Sequence, residues 1–525
     1  MKNKNHFSNC TTFFSNFQLF LPMDIGVNIP KSAPVRVISK LLEGLDYRNL
    51  MQAYSKNKGR RHKIEANKMF FIISYAMFDG ISTTRTIEKN CKENINYMWI
   101  LRGSSAPDHN TIARFISSCK FEIEDLFYQL IHKLINLNEI DLENIFIDGT
   151  KIQANANKYT FVWKKAVNKF YEKLKNKIND FESSFNEDNK TQFKDIYEIK
   201  EHLEKEISDK NIEFIHGKGT RKTQQQKDYE TLISYIEKEN EYTEHLKICG
   251  TRNSYSKTDK DATFMRMKED YMKNGQLKPA YNLQIGVNSE YIVGLDLYSN
   301  PTDVKTLLSF LSILESKNLK FKNIVADAGY ESEENYEYLF NNNYTSYIKP
   351  QNYESQKTRK FKQDISKVEN MKFDKENDTY TCANNQKLTF KYILKKKNKT
   401  TGYMSEKRVY ESNNCDDCLF SEKCKKTPHN KLLYVADRFL KFRKKSQENI
   451  TTEQGILLRL NRSIQVEGAF GVLKENMKFK RFKYREKEKT KVEILLFALG
   501  YNLRKYIHKR EQKREGMKLH KLIIN

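Results

Sequence analysis

No apolar run in this chain approaches the roughly 18 residues needed to cross a bilayer. No secretion signal is read from the N-terminus either. Met1-Lys2-Asn3-Lys4-Asn5 is basic, but Phe13-Phe14-Ser15-Asn16-Phe17 is too polar to serve as a signal core. A cytoplasmic protein with no membrane partner is expected. Cysteine is scarce, 8 in 525 residues, which excludes a secreted disulfide framework. Acidic charge is in deficit: 67 Asp and Glu stand against 93 Lys and Arg, a formal net charge of +26 with a pI near 9.4. An excess of that size points to a polyanionic partner, of which nucleic acid is the commonest. A codon bias toward Lys and Asn would raise the count, yet it does not explain why the basic residues cluster.

At this length about two to four structural units are expected. Residues 1–58 form an N-terminal segment punctuated by Pro22, Pro30 and Pro34, with a short helix at 35–54 whose inner side carries Leu41, Leu42, Leu45 and Leu50. Gly59-Arg60-Arg61-His62 marks a break. Residues 59–140 read as helical throughout: Met69, Ile72, Ile73 and Ala76 recur at helical spacing, and Pro107-Asp108 makes a helix start. This unit has a size suited to binding DNA, and a purely structural bundle fits the sequence equally well. Residues 161–274 carry three apolar stripes, led by Trp163, Ile196 and Tyr229, and predict a helical arm folded back on itself. The pieces 141–160, 275–350 and 450–510 alternate strand and helix and predict a mixed α/β core. Within them Leu307, Leu308, Phe310, Leu311 and Leu314 form the inner face of a helix, as do Val492, Leu495, Leu496, Leu499 and Leu503. Residues 351–449 are a basic, cysteine-bearing insertion, and 511–525 a basic tail.

Two stretches share one grammar. Ile145-Phe146-Ile147 runs into Asp148-Gly149, and Ile324-Val325-Ala326 runs into Asp327-Ala328-Gly329. Each reads as a buried strand whose carboxylate emerges where the backbone turns. A plain turn is the commoner meaning of Asp-Gly. Two such aspartates on adjacent strands would, however, stand close enough to share a cation. A third acid, Glu467, lies in a predicted helix at 456–475, with Val466, Phe470 and Leu473 as the buried stripe. Gly471 and Lys474 follow it at i+4 and i+7 on a neighbouring face. The alternative is a surface acid–lysine pair with an incidental glycine. Three carboxylates on a basic scaffold suit phosphoryl transfer, with hard cations activating the attacking oxygen and stabilising the leaving one. Magnesium fits best, with manganese as the substitute. From 474 to 491 Lys and Arg outnumber Glu, with Phe479, Phe482 and Tyr484 interleaved, a pattern suited to phosphate contacts with some stacking. Lys478, Lys480 and Arg481 are the candidate contacts there. Cys415-x2-Cys418-x5-Cys424, with Cys382 upstream and His429 as a substitute ligand, reads as a structural zinc site; free thiols or a redox pair are the alternatives.

Taken together the chain resembles bacterial insertion-sequence transposases with an RNase-H-like DDE core, in the subgroup carrying a helical N-terminal region and a four-cysteine insertion. The resemblance rests on Pro107-Asp108-His109-Asn110-Thr111, Asp148-Gly149-Thr150-Lys151, Ser256-x-Thr258-Asp259-x-Asp261-Ala262 and Tyr281-Asn282-x-Gln284. It continues through Ala326-Asp327-x-Gly329-Tyr330, the cysteines and Val466-Glu467-x2-Phe470-Gly471-x2-Lys474. It implies that Asp148, Asp327 and Glu467 are the catalytic, metal-binding triad, that Lys474 contacts the DNA end, and that Arg462 fills the arginine role. In the broader signature arginine lies four residues before the glutamate and tyrosine three before that, places held here by Ser463 and Leu460. The resemblance further implies two metal ions, double-stranded terminal inverted repeats and target DNA as substrates, a homodimer or higher multimer on DNA, and a nucleoid location. A nuclease on the same core that cuts without joining, and a non-catalytic zinc-stabilised DNA-binding protein, are the alternatives.

Overall fold

The computed structural model describes residues 25–55, 64–216, 221–267, 275–416 and 418–521. The basic N-terminal stretch, Cys10, Pro22 and the break at 59–62 lie outside these. Among the described residues no helix is long and apolar enough to cross a membrane.

The helix expected at 35–54 is two, Pro34–Leu42 and Arg48–Ser55, separated at Gly44, whose φ of 82° suits a residue without a Cβ. Leu41, Leu42, Leu45 and Leu50 are all buried, as their spacing predicts. Five further helices follow between Ala66 and Asn136. At the expected start the Asp108 carboxylate accepts the amides of Asn110 and Thr111, satisfying donors that the first turn leaves open.

A six-stranded sheet organises the rest. Its order is Thr263–Arg266, Leu277–Asn288, Asn144–Gln153, Asn323–Ala326 and Thr345–Ile348, and Tyr291–Tyr298 also pairs with Leu277–Asn288. Leu277–Asn288 is antiparallel to both Tyr291–Tyr298 and Asn144–Gln153; Asn323–Ala326 and Thr345–Ile348 are added in parallel. Helix Leu307–Ser316 buries Leu307, Phe310, Leu311 and Leu314, one residue fewer than its pattern predicts. The arm is three helices, Lys164–Asn189, Ile196–Asp209 and Gln224–Cys249, sharing a small apolar core of their own.

Helix Lys487–Glu511 joins the layers. The spacing predicts one inward face, yet every residue from Val492 to Leu503 is buried. It is enclosed on two sides, by Tyr291–Tyr298 of the sheet and by helices Ala66–Asp79 and Lys120–Asn136. A helix covered all round loses the polar stripe that amphipathic reasoning looks for. At Gly500 a Cβ would stand 2.6 Å from Met77 backbone, so glycine permits the helix crossing. Asn502 hydrogen-bonds both the amide and the carbonyl of Ile292 at 2.9 Å, satisfying an edge strand from within the core.

On the same helix Glu493 accepts the amides of Lys483 and Tyr484, fastening the stretch that follows Glu467. Burial pushes its carboxyl up to about 6, against the pull of those amides and of Lys483. Because the folded value lies above the ordinary 4.5, this group's contribution to stability is present below 4.5 and lost as pH rises through about 6. Glu493→Gln, neutral throughout, lacks that term. Denaturant melts of the two proteins should diverge in favour of the variant by about 2 kcal/mol between pH 4.5 and 7; a pH-independent difference would contradict the assignment.

Candidate active site

The parallel pairing of Asn144–Ile147 with Asn323–Ala326 ends at Ile147 opposite Ala326. Asp148 and Asp327 are the next residues, so their carboxylates leave neighbouring strands, about 4.8 Å apart, at one level. Asp327 closes its strand and accepts the amide of Ala328 at 2.7 Å as the chain turns into Ala328–Tyr330. Asp148 does not close its strand. The expected turn at Gly149 is absent, and residues 149–153 continue antiparallel to Leu277–Asn288. Glycine is needed at 149 for another reason: a Cβ there would stand 2.1 Å from Gln284 Nε2 and 2.7 Å from Asp303 Oδ1.

Asp303 is a carboxylate that the sequence did not reveal. Asn282 Nδ2 and Gln284 Nε2 both donate to its Oδ1 at 2.8 Å. It stands close enough to Asp148 to act on its titration. No apolar run leads into Asp303, which opens a short 3-10 turn. The available signal was Tyr281-Asn282-x-Gln284, whose two amides hold it. Tyr330, fully enclosed behind the site, donates its hydroxyl to Gln284 Oε1 and fixes which end of that amide faces Asp303.

Burial raises the Asp148 carboxyl above the usual carboxylate range, and the negative charges of Asp327 and Asp303 add to the effect. The Arg462 guanidinium, 3.3 Å from Asp148 Oδ2, and the Gly149 amide oppose it. Arg462 comes from the run 453–476, within which the spacing predicts one regular helix at 456–475. Two α segments, Glu453–Arg462 and Gly468–Gly471, instead alternate with two π turns, Ser463–Glu467 and Val472–Asn476. A π turn closes at i+5 where an α turn closes at i+4. Arg462 therefore stands one widened turn before Glu467.

Glu467 itself lies on the exposed side of its turn, although that turn packs on both the Asp148 strand and Leu277–Asn288. The structure therefore brings Asp148, Asp327, Asp303 and Arg462 together and leaves Glu467 one π turn beyond the arginine. Among the described residues no three His, Cys, Asp or Glu side chains are gathered closely enough to hold an ion.

Lys474 lies 6.0 Å from the Phe470 ring centre. Lys478, Lys480 and Arg481 are exposed; Lys480 pairs with Glu475 at 2.9 Å, and Arg481 bridges to Gln153 at the end of the Asp148 strand. The expected aromatic stacking on bases is not available. Phe479 and Phe482 are each 2% exposed, with Phe479 packed on Phe482 and Phe497, and Tyr484 is half-buried. These rings anchor the basic stretch to the core instead.

Cys382, Cys415, Cys418 and Cys424 line one cavity of about 20 Å³, room for about a single small occupant. All four are free thiols. Burial raises the Cys424 thiol and the other three thiols add to this, while Lys431 opposes. His429 is exposed and does not line the cavity, so the substitute ligand expected from its position is not in place.

Comparison with known families gives two matches. Residues 381–507 match the Transposase DDE domain, and residues 24–118 match the Transposase domain (DUF772). The first span takes in the four cysteines, Arg462, Glu467 and Lys474; Asp148, Asp303 and Asp327 lie between the two spans. No curated protein matches the chain.

The crowding at Gly149 gives a direct test of the site's geometry. Gly149→Ala forces Gln284 away and with it Asp303, and should destabilise the protein by about 1–3 kcal/mol in denaturant melts. A variant of unchanged stability would mean that the Gln284–Asp303 arrangement is not fixed.

Proposed function

We propose that Asp148, Asp327 and Glu467 are the catalytic acids of this chain, read as an insertion-sequence transposase of the DDE class, a metal-dependent DNA phosphoryl transferase. The observation that carries this reading is the parallel strand pairing that sets Asp148 beside Asp327. The sheet, an antiparallel unit of three strands with two more added in parallel beside Asp148, supports an RNase-H-like core made of 141–160, 275–350 and 450–510. On this division 59–140 is a DNA-binding helical unit, 161–274 an inserted arm and 351–449 the cysteine-bearing insertion.

The oxygen donors have the chemistry a hard divalent cation takes, and they would have to draw closer to share one. Asp148 and Asp327 offer carboxylate oxygens at one level, and Asp303 adds a third whose Oδ1 is already engaged by two amides. Magnesium or manganese, when bound, supplies the Lewis acidity that activates the attacking oxygen and steadies the leaving one. The protein's own part is positioning. Arg462 balances Asp148 and would be freed toward the phosphodiester were a cation held there, and Glu467 would complete the acidic set with DNA along the helix. Lys474, Lys478, Lys480 and Arg481 hold the backbone phosphates, and Arg462 faces the scissile group. In the first step water attacks phosphorus and the 3′ oxygen leaves as a hydroxyl. In the second that 3′ hydroxyl attacks a target phosphorus and the target's own 3′ oxygen leaves as a hydroxyl, so that element is joined to target. The substrates are terminal inverted repeats and target duplex, and the assembly is a homodimer or higher multimer on DNA in the nucleoid.

The four cysteines around one small space would, drawn together as thiolates, make a soft donor set for zinc. Its role there is to hold the lysine-rich insertion, whose core is small.

A strand-transfer assay with magnesium on duplexes carrying the element's ends tests the reading. Joined products are expected; cut products alone would indicate a nuclease, and a gel shift alone a non-catalytic binder. Asp148→Asn, Asp327→Asn and Glu467→Gln should each lower cleavage on the order of 10⁴-fold, the scale of losing one member of a catalytic set, while retaining end binding. Near-full cleavage in any of them would remove that residue from the triad. Cys415→Ser with Cys418→Ser should lower the zinc content from about one per chain and destabilise the insertion; an unchanged zinc content would refute the thiol site.

A further inference from the structure

Strands Lys387–Lys397 and Met404–Ser412 pair from Leu388 opposite Ser412 out to Lys397 opposite Met404. Other strands flank only the base of this hairpin, with Thr379–Thr381 on one side and Leu432–Val435 on the other. Beyond it the two strands continue alone as a ribbon. Tyr392, Ile393 and Leu394 are consecutive, so they point to alternate faces, and they are 42%, 50% and 37% exposed. Both faces of the ribbon are therefore open. A two-stranded hairpin by itself is marginal in water. This one is tied down at its far end, where the Tyr403 hydroxyl donates to Glu337 at 2.5 Å and Glu337 pairs with Arg438 at 2.9 Å. Glu337 lies on helix Glu333–Asn341, which begins six residues past Asp327. The ribbon is thus braced at both ends, the outer end against the element that follows a candidate catalytic acid.

Its charge is one-sided. Residues 391–408 contain seven Lys or Arg and one acid, Glu406. Lys391, Lys395 and Arg408 are matched by Glu411, Glu406 and Asp378. Lys396, Lys397 and Lys399 have no acidic partner among the described residues. We infer that this ribbon is a DNA-binding element that lies in a groove of the duplex on which the chain acts, with Lys396, Lys397 and Lys399 against phosphates and Tyr392, Ile393 and Leu394 against sugars and base edges. The inference rests on the transposase reading for its partner. A major groove about 12 Å wide admits a two-stranded ribbon, and unmatched lysines at its outer end are placed to displace counterions from the backbone.

The test uses the full chain with Lys396→Ala, Lys397→Ala and Lys399→Ala combined, its fold checked by thermal melting, and a short duplex carrying the element's end. Binding at moderate salt should weaken on the order of tenfold, and the slope of log affinity against log salt should become shallower by about 0.9 for each phosphate no longer neutralised. Unchanged affinity and slope would overturn the inference. In a second variant, Tyr392→Ser with Leu394→Ser, duplex binding should fall while sedimentation stays the same. A changed oligomeric state with unaltered DNA binding would overturn it in favour of an interface between copies. The two readings fail separately: if the unaltered chain binds duplex and the variants bind equally, only the ribbon assignment falls, whereas an unaltered chain that binds no duplex removes the transposase reading beneath it.

Discussion

The pairing of Asn144–Ile147 with Asn323–Ala326 is the constraint on which the site depends. Both segments are apolar because both are buried on each face, and burial fixes the register between them. The start of the pairing is locked by polar groups. Asn323 donates to the Asn144 side chain at 2.9 Å, and Asn288 to the Asn144 carbonyl at 2.6 Å. A slip of one residue would send Asp148 to the opposite face of the sheet. With the register fixed, the first residues past the pairing are two aspartates side by side.

What surrounds them gives a site with more negative charge than the protein itself neutralises. Asp303 is turned inward by Asn282 and Gln284, Gln284 is oriented by Tyr330, and Gly149 leaves the room in which these side chains meet. Arg462 is the cation paired with Asp148, from a helix widened by a π turn. Placing like charges together in a partly buried setting is unfavourable unless something positive joins them. On the proposed reading a divalent cation would answer that need, and the basic stretch beyond Glu467 the charge of a DNA backbone.

The two paired strands were legible because buried strands read as continuous apolar runs, and the helix cap at Asp108 because capping is a local matter. The arm was legible from its stripes. Other features turn on contacts that a linear pattern does not carry. Asp303 has no periodic context, and its importance comes from amides twenty residues away. The π turns leave the 3.6-residue pattern of Val466, Phe470 and Leu473 nearly intact, so a widened helix could not be told from a regular one. Phe479 and Phe482 sit among lysines and read as exposed, yet the helix Lys487–Glu511 folds over them. Gly149 resembled a turn because Asp-Gly usually is one; its real demand is space.

The central claim is that Asp148 and Asp327 hold a divalent cation against a scissile phosphodiester. Anomalous scattering from manganese in crystals of the chain bound to a duplex end measures this most directly. The account predicts a manganese peak between the two aspartate carboxylates, within ligand distance of a DNA phosphate, with Glu467 drawn toward it. Manganese bound elsewhere, with Asp148 still paired to Arg462 and the DNA remote from both aspartates, would contradict it.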